Sequence, residues 1–67
     1  MHDFSSYFYI DDTIIQYYVI VGSENYEVYS STLECTLKIP IVPNDSKELL
    51  IDSIETILQE IYEDIQA

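Results

Sequence analysis

LECTLKIPIVPNDSKELLIDSIETILQEIYEDIQ, residues 33–66, changes period once, and that change decides the fold. From Leu33 to Ile39 the residues alternate: Leu33, Cys35, Leu37 and Ile39 point one way, and Glu34, Thr36 and Lys38 the other. A period of two predicts a strand with one buried face. Pro40 and Pro43 follow, and proline lacks the ladder donor, so the sheet is expected to end there. From Asp45 onward the period is helical. Leu50, Ile54, Ile57, Leu58, Ile61 and Ile65 form one stripe on a 100° wheel, with Ile51 and Tyr62 at its edge. Asp45 is the expected N-cap, and Glu48, three residues on, completes a capping box. The expected helix spans about residues 45–66.

Upstream the signals are all those of strands. Thr13 to Val21 is a β-branched and aromatic run. Ile15, Tyr17, Val19 and Val21 fall on one face, and Ile14, Gln16, Tyr18 and Ile20 on the other. Both faces are apolar enough to predict a central strand covered on both sides. Ser5 to Ile10 reads as a shorter strand that turns at Asp11-Asp12. Tyr26 to Ser30 reads as another, entered through Gly22-Ser23-Glu24-Asn25, where the lone glycine is expected to supply a positive φ. Ser31-Thr32 is the last expected turn. The fold class is therefore α+β: one domain, 1–67, with an antiparallel sheet of three to four strands within 5–41 and one C-terminal amphipathic helix packed on it.

Composition narrows the function. Thirteen acidic residues stand against two lysines and no arginine, a formal net charge of −11 in 67 residues. Small soluble domains carry about 2–8 charges of either sign, so this chain accepts self-repulsion. Eleven Ile and seven Tyr exclude an acidic disordered tail. The abundance of Ile and Tyr fits an AT-rich coding sequence, which would also raise lysine. The scarcity of Lys therefore reads as selected. An anionic surface of this kind repels anionic lipid and nucleic acid. Neither direct nucleic-acid binding nor membrane association is expected.

No constellation supports catalysis. Asp11-Asp12 and Glu63-Asp64 sit in a turn and at a helix end, not in a pocket that would separate their pKa values. One cysteine and one histidine, Cys35 and His2, are too few for a zinc site within one chain. Asp11, Asp12 and Glu24 lack EF-hand spacing, and a single glycine excludes a phosphate-binding loop. No enzyme, cofactor or metal is expected. Cys35 reads as an inert thiol on an apolar face. The absence of an export signal, with a free thiol, gives an expected cytoplasmic location.

Two surfaces remain. Glu48, Asp52, Glu55 and Glu63 fall opposite the helix stripe and are the expected partner-binding residues. Glu48 to Asp52 is ~6 Å along the axis and Asp52 to Glu55 ~4.5 Å, spacings at which carboxylates can stand where a groove expects phosphates. The second surface is the sheet face that a single helix cannot cover. It holds Tyr7, Tyr9, Tyr18, Tyr29, Ile14 and Ile20, the candidates for a homodimer interface. A chain this short has a marginal core and no internal disulfide, so a second copy is the remaining support.

In size, charge and sheet-then-helix pattern, the whole chain resembles the small acidic phage-encoded inhibitors of host enzymes and defence systems. These include uracil-DNA glycosylase inhibitors, anti-restriction, anti-CRISPR and anti-Hachiman proteins. The resemblance carries no diagnostic motif, so it assigns no residue. Several of those are sheet-plus-helix dimers and many are DNA mimics, so the resemblance implies a DNA mimic that fills the basic nucleic-acid-binding groove of a host or defence protein, in the host cytoplasm. The alternative expectation is a small homo-oligomeric adaptor or an antitoxin-like partner whose acidity serves solubility.

Overall fold

A computed structural model describes residues 1–44 and 46–67. Four strands, β1 (Phe4–Ile10), β2 (Thr13–Val21), β3 (Asn25–Ser30) and β4 (Cys35–Pro40), precede one helix, α1 (Lys47–Gln66). The strands form one antiparallel sheet in the order β1-β2-β3-β4, each paired with its neighbour in the chain. The α+β architecture is as the two periods predict.

Turn chemistry fixes the register. Asp11 and Asp12 both have positive φ, 48° and 67°, and Ile10 faces Thr13 across them. This is a two-residue loop of the I′ kind, whose twist matches that of the strands it joins. Gly22 plays a different part from the one expected, since its φ is not positive. A Cβ there would stand 2.8 Å from the Asn25 carbonyl oxygen, which accepts the Gly22 amide at 3.0 Å. The constraint is close approach, not handedness. Leu33 and Glu34 are also displaced from expectation. They belong to the turn before β4, and Glu34 adopts φ 52°. Leu33 still packs on the core from there, which is why its place in the alternation looked like that of a strand residue.

Ser30 is buried and organises that turn. Its hydroxyl donates to the Gln16 carbonyl at 2.7 Å and accepts from the Leu33 amide at 3.3 Å. The Gln16 amide in turn donates to Thr32 Oγ1 at 3.0 Å. Two side chains thus take up the Gln16 amide and carbonyl where β3 stops.

The helix begins at Ser46, whose Oγ accepts from the Leu49 amide at 3.2 Å. The cap is therefore one residue later than expected. Asp45 lies outside the described residues. With Ser46 as N-cap the third helical residue is Leu49, so Glu48 completes no capping box.

Two contacts orient the helix. Lys47 Nζ stands 4.6 Å from the centroid of the Phe4 ring, and Tyr62 OH lies 3.5 Å from Thr13 Oγ1. The helix therefore starts over the beginning of β1 and runs alongside it to the β1–β2 turn. The lengths agree: ~22 Å of helix from Lys47 to Tyr62 and ~20 Å of strand from Phe4 to Ile10. Leu50, Ile54 and Leu58 meet Ile10, Ile15, Tyr17, Val19, Tyr26 and Val28 in the core. Ile65 is exposed, against expectation, because the last turn of α1 runs past Tyr62 and off the end of the sheet.

Only one face of the sheet is covered. Ile14, Tyr18 and Ile20, expected to be buried on a central strand, lie on the open face. Apolar composition on both faces of β2 reported an apolar surface, not a second layer within the chain.

Candidate partner-binding surfaces

The helix carries six acids from Glu48 to Asp64, and its only cation is its first residue, Lys47. Neither lysine stands among those acids. Lys47 sits over Phe4, a contact worth about 0.5–1 kcal/mol at an exposed site. Lys38 is on the open sheet face, directly across from Glu27. Nothing basic occupies the last turn of α1, so Glu63 and Asp64 add to the negative end of the helix dipole. This placement costs roughly 0.3–1 kcal/mol for each such charge at low salt.

Glu48, Asp52 and Glu63 are exposed, as expected for an outer helix face. Gln59 Nε2 donates to Glu63 Oε1 at 3.5 Å, and Thr56 Oγ1 donates to the Asp52 carbonyl at 2.8 Å. Glu55 departs from the expected set. It is half-buried on the flank of the helix, and burial pushes its carboxyl up from the usual range, with the Asp52 charge adding to the effect. Its neighbour across the core edge is Tyr17. Burial raises that hydroxyl most, the facing Ser6 pulls the other way, and the Glu55 charge raises it again. The Ser6 influence falls short of a full bond, since Tyr17 OH has no partner within hydrogen-bonding distance. Glu55 therefore belongs to the rim of the core, and the outward acids of the original set are Glu48, Asp52 and Glu63.

The fold adds two carboxylates that helix periodicity cannot show. The Tyr62–Thr13 contact brings the last turns of α1 beside the β1–β2 turn. Asp11 and Asp12 thus share one end of the molecule with Glu60, Glu63 and Asp64, all five exposed. Adjacency of a hairpin turn to a helix end is a tertiary fact, and the only trace in the sequence was the acidity of each segment. Among the described residues no three His, Cys, Asp or Glu side chains converge as metal ligands. Asp11-Asp12 and Glu24 lie at opposite ends of β2.

The second surface is the open sheet face. Tyr7, Tyr9, Tyr18, Tyr29, Ile14 and Ile20 all project from it and are exposed. Register places Tyr18 beside Tyr29, Tyr9 beside Ile14 and Ser5 beside Tyr18. The Tyr7 and Tyr9 rings are 6.0 Å apart and tilted by 55°. A trough of about 610 Å³ crosses the face between Ser5, Tyr7, Gln16, Tyr18 and Tyr29. Among the strand residues of this face only Glu27 and Lys38 are charged. Cys35, on the opposite face, is half-buried, and burial raises its thiol pKa, which keeps it protonated and a poor nucleophile.

Among the described residues no helix is long and apolar enough to cross a membrane. Comparison with protein-family models, with curated proteins and with solved structures finds no match to this chain.

Proposed function

We propose that this chain is a non-enzymatic binding protein whose anionic helix face and acidic end occupy a basic, nucleic-acid-binding groove on another protein. It would inhibit that protein by charge mimicry, as phage-encoded inhibitors of host or defence enzymes do. One observation carries the reading: Asp11, Asp12, Glu60, Glu63 and Asp64 gather at one end of the molecule, the last three on the same helix that exposes Glu48 and Asp52 further back, with no cation on the helix beyond Lys47. A surface meant only to keep the chain soluble would mix its signs. This one accepts repulsion, and an unfavourable helix terminus, to present a single sign. Complementary charge would chiefly accelerate encounter with a basic partner, and apolar contacts at the rim would slow release.

The test uses the tagged full chain on host lysate at 50 and at 500 mM NaCl, with duplex DNA as competitor. Captured proteins should be nucleic-acid-binding, should fall at least about tenfold at the higher salt, and should be displaced by DNA. The Asp52→Lys, Glu63→Lys variant should lose them. Capture that is indifferent to salt, to DNA and to this variant would refute charge mimicry and favour an adaptor whose acidity serves solubility.

A further inference from the structure

The open sheet face is the largest feature that charge mimicry leaves unused. Six bulky side chains project from it with substantial exposure: 60% for Tyr7 and Tyr9, 50% for Tyr29, 44% for Tyr18 and 43% for Ile14 and Ile20. We propose that this face binds a second copy of the chain, sheet against sheet, to give a twofold dimer with its two anionic helices on opposite outer surfaces.

Three observations select this occupant. The first is area. At ~150–250 Å² for a fully exposed Tyr, the six side chains present about 600 Å². The intervening Ser5, Gln16, Thr36 and Lys38 bring the face to about 800 Å², which is what each partner of a standard stable interface contributes. The second is charge. Two bodies of net charge −11 repel one another, and the contact that minimises this is one where charge is absent or balanced. The strand residues of this face supply one Glu and one Lys, and the described helix acids lie behind the sheet. A basic partner would gain little here, and a second acidic chain loses little. The third is chemistry. Tyrosine offers wide apolar area with a hydroxyl at its tip, so a stacked pair of such faces can bury rings and still satisfy polar atoms. A twofold arrangement presents the same patch from both copies, which a face rich in one residue type suits. Pairing along the edge of β1 would leave most of these six side chains in water.

The geometry has a consequence for charge. Stacked sheets lie ~10 Å apart, and each carries its helix on the far side. The dimer therefore shows its helix acids on both outer surfaces, and neither copy masks those of the other.

Sedimentation equilibrium of the full chain from 1 µM to 1 mM should give twice the 7.8 kDa chain mass at the upper end. Association should tighten between 20 and 300 mM NaCl, because salt screens the repulsion while the apolar contact persists. This is opposite in sign to the salt response expected for target binding, so either idea can fail without the other. Tyr18→Lys, with its fold checked by circular dichroism, should weaken association at least about tenfold. It also lowers the net negative charge, so the loss would not be a repulsion effect. Tyr29→Trp, at an exposed strand position and with its fold checked in the same way, supplies a reporter. Its emission should shift to the blue as concentration rises, since the ring enters the interface. A monomer at 1 mM in 300 mM NaCl would overturn the proposal. So would a dimer in which the Trp stays fully solvated, because that dimer would use another surface.

Discussion

Replacing Asp11-Asp12 by Asn-Gly should make this protein more stable and less able to bind a basic target. Both aspartates occupy the left-handed region, with φ of 48° and 67°. An L-residue there costs about 1–2 kcal/mol, and Asp lies toward the lower end because its short side chain bonds locally. Asn-Gly is the preferred pair for such a loop. Gly at position 12 removes about 1 kcal/mol of backbone strain and gives back about half through the entropy of the unfolded chain. Removing two adjacent carboxylates beside Glu63 and Asp64 adds a few tenths of a kcal/mol each at low salt. The sum is about 1 kcal/mol at low ionic strength and about half that at 0.5 M NaCl, where only the backbone contribution survives. In a domain of this length 1 kcal/mol corresponds to a rise in Tm of about 4–8 °C. Urea unfolding followed by circular dichroism at two salt concentrations separates the parts. The midpoint should rise with the slope unchanged, and more at low salt. Unchanged or reduced stability at both salts would refute the reasoning, and would mean that the carboxylates hold the turn. The same variant should capture less target, since two of the five acids at that end are gone. Stability and binding would then move in opposite directions, as they do where a surface is shaped for a partner.

The remaining predictions concern the rim of the core and the β3–β4 turn. Glu55 has a folded-state pKa raised by burial and by Asp52, so the fold favours its protonated form. Its contribution to stability should fall as pH rises from the unfolded value of 4.5 through the raised folded value, and stay flat above it. Glu55→Gln should flatten that part of the pH–stability curve and leave the protein more stable at pH 7, as measured by urea midpoints from pH 3.5 to 8; a variant curve parallel to wild type would refute the assignment. Ser30→Ala should cost about 1–3 kcal/mol in urea unfolding, because the Leu33 amide and the Gln16 carbonyl both lose a partner. A cost under 0.5 kcal/mol would show that water replaces the hydroxyl.

Much of the fold is legible in the periods alone. β2 has the expected bounds, and the inward faces of β1, β3 and β4 follow from alternation. What the sequence does not show depends on where one element ends relative to another. Ile65 fits the helix stripe but extends beyond the sheet, and Leu33 fits the strand but packs from a turn. Ser46 caps α1, although Asp45-Ser46-Lys47 offers two adjacent residues with equal capping chemistry. Glu55 shows the limit of a helical wheel. It stands on the flank, and only the width of the sheet beneath decides whether a flank is wet. The six side chains of the open face were readable because two-residue alternation does not depend on tertiary context. The joining of Asp11-Asp12 to the helix end was not readable, because it rests on a contact between residues 49 apart in sequence.

That contact also bears on how the chain reaches its fold. Every strand pairs with the next one along the chain, through turns of two to four residues. Such hairpins close in microseconds, whereas synthesis delivers only about 5–20 residues per second. The sheet can therefore register itself on the ribosome, one strand at a time, with little loop-closure entropy at any step. The helix is made after the strands, and Leu50, Ile54 and Leu58 supply the cover for the inward face. Until they arrive the nascent sheet is wet on both sides, so commitment to the native state waits for α1. A ribosome-bound chain halted before Lys47 should remain protease-sensitive throughout.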